Sequence, residues 1–258
     1  MKKFLFAVFA LFATQAFAII GIGAHYVTNL GTLKGEVEKF PVSVGPQSMD
    51  IELHRKEVST LQGLGFKLWL DILPFIDVEG TFNVAATGYT PYLVVPMFDD
   101  PIYLEYSPDA PYNMVIDRAS PIYGLFSGDL SVTYPFDLVI VRPYAGLGIS
   151  YMASIPLVDK KFIKSMEPAL VNIFLSSQDP NADPNADYSK MISKELSNAL
   201  KNADYKTGIG GHAIVGARFK LPLIPIAAYT NAKYYFGGSI DPKFNQGIVF
   251  ELGGGFAL

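Results

Sequence analysis

Apolar and polar residues alternate one by one along eight segments of the chain. In the clearest of them, residues 64–72, every even-numbered position is a large apolar residue, whereas Lys67 and Asp71 fall on the odd-numbered face. This is strand spacing, because successive side chains of a strand point to opposite faces. The same pattern predicts strands that begin at Ile20 and that cover residues 78–84, 122–134, 138–152, 207–219, 226–236 and 245–258.

The connections between these strands alternate in length. Tight turns are predicted at 73–75, 135–137 and 221–225, and long connections at 30–62, 86–120 and 153–206. Outer-membrane barrels have short periplasmic turns and long extracellular loops, whereas a soluble sandwich gives no reason for this asymmetry. We therefore predict an all-β fold, an eight-stranded antiparallel transmembrane β-barrel with long extracellular loops. A short hairpin near 37–44 and strands near 92–97 or 102–106 leave ten strands as an alternative.

The third long connection is the helical part of the sequence. Ser165-Met-Glu-Pro168 suits a helix start, and apolar residues recur at three- and four-residue spacing from Tyr188 to Lys201, with Asp187 as a candidate N-cap. Two short helices are therefore predicted in a loop insertion of about 160–203. Between them Asp179, Asp183 and Asp187 recur every four residues. Their oxygens suit Ca²⁺, but the calcium-loop pattern is absent, so we interpret the repeat as a solvated linker and leave ion binding open.

The N-terminus has the features of a secretory signal. Lys2 and Lys3 precede an apolar run, and Ala16-Phe17-Ala18 offers a small-x-small cleavage site. This predicts a signal peptide over 1–18 and a barrel over 19–258. An uncleaved membrane helix over 4–24 is the alternative, which the alternation that begins at Ile20 disfavours.

Composition restricts the possible partners. The chain has 258 residues, of which 50% are hydrophobic, 14% aromatic and 17% charged. Without Lys2 and Lys3 it keeps 18 basic and 24 acidic residues, a formal charge of −6, so we expect no nucleic-acid partner. It has no Cys, which excludes disulfides and a lipoprotein anchor.

Aromatic residues recur near the predicted strand ends, where amphipathic rings form interfacial girdles in membrane barrels. They are Tyr26, Phe75, Tyr134, Tyr151, Phe219, Tyr234, Phe236 and Phe256.

The signal, the eight alternating strands, the segment Arg142-Pro-Tyr-Ala-Gly-Leu-Gly-Ile-Ser-Tyr151 and the aromatic closing strand resemble the small outer-membrane β-barrel proteins of the OmpA/OmpX-like superfamily. The resemblance implies a place in the cell outer membrane, contact with outer-membrane lipid, and insertion by the barrel-assembly machinery through the C-terminal strand. Such chains usually end on Phe or Trp, whereas this one ends on Leu258. No periplasmic peptidoglycan-binding domain is expected.

The inward faces of the predicted strands carry charged residues. An eight-stranded barrel is just wide enough to be filled by its own side chains, and buried charges need partners. We therefore predict a polar plug, with a narrow pore for small solutes as the alternative. The predicted network consists of Lys67, Asp71, Glu79, Asp129, His212, Arg218, Lys233 and Glu251.

Catalysis is the other alternative, because some small outer-membrane barrels of this size act on lipid as acyl transferases or deacylases. They need an activated Ser or His near the outer rim. His25 and His212 are predicted inward near strand ends, His54 lies in the first loop, and none has a recognisable Ser/His spacing. We expect no enzyme activity and no cofactor. A structural or surface-interaction role through the loops is the favoured function, with the loop helices capping the barrel's outer mouth.

Overall fold

The structure is a computed structural model that describes most of the chain after the predicted signal peptide. It covers residues 20–44, 47–73, 75–96, 98–104, 121–136, 138, 140–179, 181, 183, 186–201, 203–220, 224–238, 240 and 244–257. The predicted signal peptide (1–18), most of the predicted turn at 221–225, and Leu258 lie outside these residues.

The described residues form strands and three helices. The strands are β1 Ile20–Leu33, β2 Glu36–Val44, β3 Gln47–Arg55, β4 Val58–Leu73, β5 Ile76–Gly88, β6 Tyr92–Val94, β7 Ile102–Tyr103, β8 Ile122–Pro135, β9 Val141–Ser154, β10 Lys206–Lys220, β11 Ile226–Phe236, β12 Phe244–Asn245 and β13 Ile248–Ala257. The helices are α1 Lys160–Ser165, α2 Glu167–Ser177 and α3 Tyr188–Lys201. Among the described residues no helix is both long and apolar enough to cross a membrane.

Eight strands close into an antiparallel barrel. Their order is β1, β13, β11, β10, β9, β8, β5 and β4, and β4 pairs back with β1. The two-residue β12 only extends the pairing of β1 beyond β13. The predicted eight-stranded antiparallel barrel is therefore confirmed, and the closing strand pairs with the first strand over Gly21–Asn29.

The additional strands form a separate sheet of four, in the order β2, β3, β6 and β7. The predicted connection 30–62 is shorter than expected, because β1 runs to Leu33 and β4 starts at Val58. It contains a hairpin of β2 and β3, in the region where the sequence left a hairpin near 37–44 open. Phe40 and Ile51 lie on its buried face, but Glu38 and Arg55 on the same face and the exposed Val37 on the other face break the alternation. Since these strands do not join the barrel, the strand count stays at eight.

The β1–β4 pair contains an irregularity near its outer end. Its register shifts between Asn29 and Thr32. Thr60, on the facing part of β4, has a φ of +61°, which is strained for a β-branched residue. A bulge of this kind bends a strand pair and increases its twist. This bend lies where β1 and β4 leave the barrel and lead into the four-stranded sheet.

The helices begin with the expected capping residues. Pro168 lies in the first turn of α2, and Asp187 accepts a hydrogen bond from the backbone N–H of Lys190 at 2.9 Å, which caps α3. Helix α1 was not predicted. It starts after Asp159, whose carboxylate accepts from the Phe162 N–H at 2.8 Å.

The outer wall of the barrel is apolar along its length. Among the described side chains, most of those predicted to face outward are exposed or partly exposed, whereas most of those predicted to face inward are buried. All eight aromatic residues of the predicted girdles are exposed, seven of them on this wall and Phe75 in the turn between β4 and β5. The wall therefore has an apolar belt of the kind that meets lipid.

The four-stranded sheet and the three helices pack together over one end of the barrel, and we call this layer the cap. Its core includes Phe40 and Ile51 of the sheet and Ile163, Phe174 and Ile192 of the helices. We call the two ends of the barrel the capped end and the turn end.

Two glycines of the barrel wall, on the strands β4 and β8 that flank β5, allow a matched test of wall packing. A Cβ on Gly63 would lie 1.8 Å from the backbone oxygen of Val84, whereas one on Gly128 would meet nothing within 4 Å. Because strand β5 would have to shift, we expect Gly63→Ala to lower the free energy of unfolding by about 1–3 kcal/mol. Gly128→Ala should leave it unchanged or slightly higher. Urea unfolding followed by the fluorescence of Trp69, the single Trp, measures both, and equal effects would contradict this account.

Candidate functional site in the barrel interior

The interior near the turn end contains a compact cluster of charges around Arg218. Its guanidinium donates to Asp71 at 3.0 Å and to Glu79 at 2.8 Å. It also lies 4.8 Å from the centre of the Trp69 ring, a cation–π contact. Arg142 pairs with Asp71 at 3.0 Å and with Asp77 at 3.2 Å. Side chains from β4, β5, β9 and β10 therefore meet across the lumen.

Lys67 connects this cluster to the next one. Its ammonium lies 2.6 Å from a carboxylate oxygen of Glu79 and donates to the Tyr144 hydroxyl at 2.8 Å. The Tyr144 hydroxyl donates in turn to the side-chain oxygen of Asn231. Lys67 and Glu79 are fully buried, so this link leaves no room for solvent beside it.

The second cluster surrounds Glu251 on the closing strand. Lys233 lies 2.7 Å from Glu251 and 2.8 Å from Asp129, so one ammonium bridges two carboxylates on opposite sides of the barrel. Asn83 and Asn231 also donate to Glu251, at 2.9 and 2.7 Å. Lys233 and Glu251 have no exposed surface. Charges buried this deeply persist only when paired.

The two clusters bring together seven of the eight residues that the sequence analysis named. His212 is the exception, because it lies inside the barrel but belongs to neither ion cluster. It is held between two hydroxyls, with Ser131 at Nε2 and Ser150 at Nδ1, each at 2.8 Å.

The network also includes residues that the sequence analysis missed. Asp77 is the second residue of β5, whose start was predicted at Val78. Arg142 is the second residue of β9 and lies in the part of the predicted strand 138–152 to which no face was assigned. Tyr144 and Asn231 were on the predicted inward faces but carry no charge. Extending the alternation back to Asp77, assigning a face to Arg142 from the alternation of its own strand, and including uncharged polar residues would have identified all four.

Toward the capped end the interior changes from polar to apolar. The inward positions there form one hydrophobic cluster with the core of the cap. The barrel residues of this cluster include Val27, Leu61, Ala85, Leu125, Met152, Tyr235 and Val249. A cavity of about 20 Å³ in this zone is lined by apolar residues of the cluster and also by Asn29, Asn83, Ser127, Tyr235 and Gln246, and it has room for on the order of one water molecule.

The buried histidines make neutral hydrogen bonds. His25 donates from Nε2 to Asn83 at 2.6 Å and accepts at Nδ1 from the Tyr229 hydroxyl at 2.9 Å. Both His25 and His212 lie midway along their strands, so the predicted position near strand ends is wrong. The Ser131–His212 pair has the distance of a nucleophile and its base, but His212 is 0% exposed. A lipid substrate cannot reach it.

Ion binding has no built site in the part of the chain that is described. There, no group of three or more His, Cys, Asp or Glu residues has the arrangement of a metal site. Asp179, Asp183 and Asp187 are exposed. The Asp179 carboxylate accepts from the Asn181 N–H at 2.8 Å, and Asp187 caps α3, so both carboxylates serve the local chain.

Known proteins match this chain in architecture only. No family model and no curated protein sequence matches it. Among solved structures, the attachment invasion locus protein Ail of Yersinia pestis matches with a TM-score of 0.43 at 10% identity, over 92% of this chain and 96% of that one. Neisserial surface protein A, NspA, matches with a TM-score of 0.39 at 11% identity, over 93% and 97%. The fold itself is established by the strand pairing.

The outer face of the cap carries an aromatic row that crosses all four strands of the sheet. Val37, His54, Tyr92 and Tyr103 are successive cross-strand partners. The His54 and Tyr92 rings stack, with centroids 4.8 Å apart and an interplanar angle of 11°.

An ion pair lies beside this row. Glu52 contacts Lys39 at 2.5 Å and His54 at 2.9 Å. The hydrogen bond from Lys39 and then that from His54 lower the pKa of Glu52, and the same contact with Glu52 raises the pKa of Lys39. The face is thus ordered and carries both apolar and charged groups.

Proposed function

We propose that this protein is an integral outer-membrane barrel, closed through its interior, that presents its cap at the cell surface as an ordered interaction module. The capped end faces the cell exterior and the turn end faces the periplasm. The observation that carries the proposal is the hydrophobic cluster that continues from the upper lumen into the cap. A pore needs a hydrated vestibule at this position, whereas a rigid surface module needs an anchored core.

Membrane location is supported by the outer wall. Large side chains such as Leu64, Phe66, Leu147 and Ile209 are 63–75% exposed on it, and burying such surface against lipid is favourable by roughly 25 cal/mol per Å². Closure of the sheet leaves no unpaired strand edge within the hydrocarbon layer. The partner at the cap remains unidentified, and the aromatic row beside the Lys39–Glu52 pair is the surface we propose for it.

Surface presentation is tested by labelling a single cysteine on the cap. Because the chain has no Cys, Ser48→Cys, at an exposed position on β3, needs no removal of background thiols. We expect a membrane-impermeant maleimide to label it on intact cells. Labelling that appears only after the outer membrane is permeabilised would contradict the orientation, and recovery of the protein in the soluble periplasmic fraction would contradict the barrel.

Closure is tested by electrical recording. We expect the folded protein to give no conductance above the blank in a planar lipid bilayer, because the Arg218–Glu79 and Lys233–Asp129 pairs cross the lumen and the capped end is largely apolar. Heat-modifiable migration on a gel confirms that the sample is folded, and a general porin serves as the positive control. Reproducible steps from the folded form would support the narrow pore instead.

Catalysis on lipid is tested with labelled phospholipid and lipid A. We expect no turnover above that of empty vesicles, and no difference between the wild type, His25→Ala and His212→Ala, because both rings are sealed inside the barrel. Turnover by the wild type that His212→Ala abolishes would support an enzyme built on the Ser131–His212 pair.

A further inference from the structure

Large apolar side chains are exposed at the turn end of the barrel, in the turns and at the first residue of β5. They are between 39% and 64% exposed. They come from three different turns and so surround this end of the barrel. They are Phe75, Ile76, Phe136, Leu138, Ile140 and Ile224.

The charged residues at the same end point the other way. The side chains of Asp71, Asp77, Arg142 and Arg218 are at most 12% exposed, because they pair with one another inside the lumen. Among the described side chains of this end, the apolar groups are therefore outside and the charged groups inside. An end surrounded by water favours the opposite arrangement, since exposed apolar surface is costly and charges are well solvated.

The strands alone already account for the hydrocarbon layer. A strand tilted by about 40° rises roughly 2.6 Å per residue along the barrel axis, so the outward run from Ile209 to Phe219 on β10 spans roughly 26 Å. The apolar band of an outer-membrane barrel is about 25 Å tall. The turn residues therefore lie below the hydrocarbon, at the depth of the lipid headgroups.

We propose that the turn end of the barrel is immersed in the periplasmic headgroup layer of the outer membrane and binds the phospholipid surface through these side chains. The inference rests on the proposed membrane location. Sites for protein partners are usually apolar patches with polar rims. Here no polar rim separates the turns from the lipid-facing belt: Tyr134 of the belt packs edge-on against Phe136 of the turn, with ring centroids 5.1 Å apart. This continuity favours lipid as the occupant.

The test places an environment-sensitive fluorophore at single cysteines of the full chain in vesicles of phosphatidylethanolamine and phosphatidylglycerol. Leu138→Cys probes the turn end, and Ile140→Cys repeats the measurement at a second position. Leu130→Cys, exposed in the middle of the belt, is the lipid control. Ser48→Cys on the cap is the water control. Iodide on both sides of the membrane reports contact with water, and nitroxide lipids labelled near the headgroup or near the chain end report depth.

We expect the turn positions to lose iodide quenching almost as fully as Leu130→Cys does, and to be quenched most by the nitroxide near the headgroup. If iodide quenched the turn positions as strongly as Ser48→Cys while Leu130→Cys stayed protected, this inference would be overturned and the proposed membrane location would stand. Iodide access at Leu130→Cys as well would overturn the proposed membrane location. Protection of the turns that appears only at high protein-to-lipid ratio would show contact between copies and would also overturn the inference.

Discussion

Lys233→Met is expected to lower the free energy of unfolding by about 3–5 kcal/mol, the usual cost of removing one partner of a buried ion pair. Lys233 is fully buried and forms ion pairs with both Asp129 and Glu251. Methionine fills similar space but leaves two carboxylates without a cation in a low-dielectric interior, where their desolvation is no longer offset. Urea unfolding followed by Trp69 fluorescence measures the loss.

Two further variants separate this cause from lost packing. Adding Asp129→Asn and Glu251→Gln to Lys233→Met removes all three charges. The amide oxygen of Asp129→Asn can still accept from the Tyr235 hydroxyl. Glu251→Gln keeps one oxygen, so it retains the hydrogen bond from only one of Asn83 and Asn231, which now donate to the two carboxylate oxygens. We expect most of the lost stability to return. Lys39→Met breaks an exposed pair on the cap and should change little. Equal losses in Lys233→Met and Lys39→Met would refute the role of the buried network.

The barrel could be predicted because the sequence pattern that specifies it lies within each single strand. Period-two alternation decides which face of a strand meets lipid and which meets the lumen. It placed Lys67, Glu79, Asp129 and Glu251 inside without any knowledge of their partners. A shift of one residue would reverse every face, so the pattern leaves little freedom in register.

The pairing inside the barrel could not be predicted in the same way. Lys233 and Asp129 are 104 residues apart in sequence, and their contact depends on the barrel's curvature and shear, which alternation does not encode. The Ser131–His212 contact was missed for the same reason. Asp77 was missed because its strand was predicted to begin at Val78, so the residue was assigned to no face of a strand.

The cap was the largest structural feature that the sequence analysis did not resolve. Its strands are short or interrupted, and their outer faces carry Lys39, Glu52 and His54 between apolar residues. Its stability comes from contacts between segments far apart in the chain, such as Val158, whose N–H donates to the Tyr89 hydroxyl at 2.9 Å. The amphipathic spacing of the loop helices predicted that they pack over the barrel mouth, but it did not predict the sheet that packs with them.

Two kinds of interaction stabilise the barrel interior: the ion pairs of the polar plug and the hydrophobic core that the barrel shares with the cap. Toward the turn end, ion pairs hold opposite walls together, and toward the capped end a hydrophobic core does so. Ion pairs require defined geometry and specify one arrangement of the walls. The apolar zone excludes water from the charges below it and so strengthens their attraction. Weakening the cap should therefore affect the barrel less than breaking the plug does.

Phe174→Ala is expected to destabilise the cap by about 3–5 kcal/mol, as for other buried Phe→Ala changes. The ring is fully buried in α2 and lies against Phe98, with centroids 6.0 Å apart. Alanine would leave a cavity in the core that joins the helices to the sheet. Each 1.4 kcal/mol is a factor of ten. Protease cleavage within residues 160–201 should therefore accelerate by roughly two to three orders of magnitude, provided that the cleavage rate is proportional to the fraction of molecules in which the cap is unfolded.

Leu175→Ala is the matched control, because Leu175 follows on the same helix but is 45% exposed, and its cleavage rate should stay close to that of the wild type. In Phe174→Ala we expect the barrel to remain heat-modifiable and the Trp69 signal to unfold at the wild-type urea concentration. The backbone ladder and the ion pairs of the barrel do not depend on this ring. A Trp69 transition that shifts together with cap cleavage would instead mean that cap and barrel unfold as a single cooperative unit.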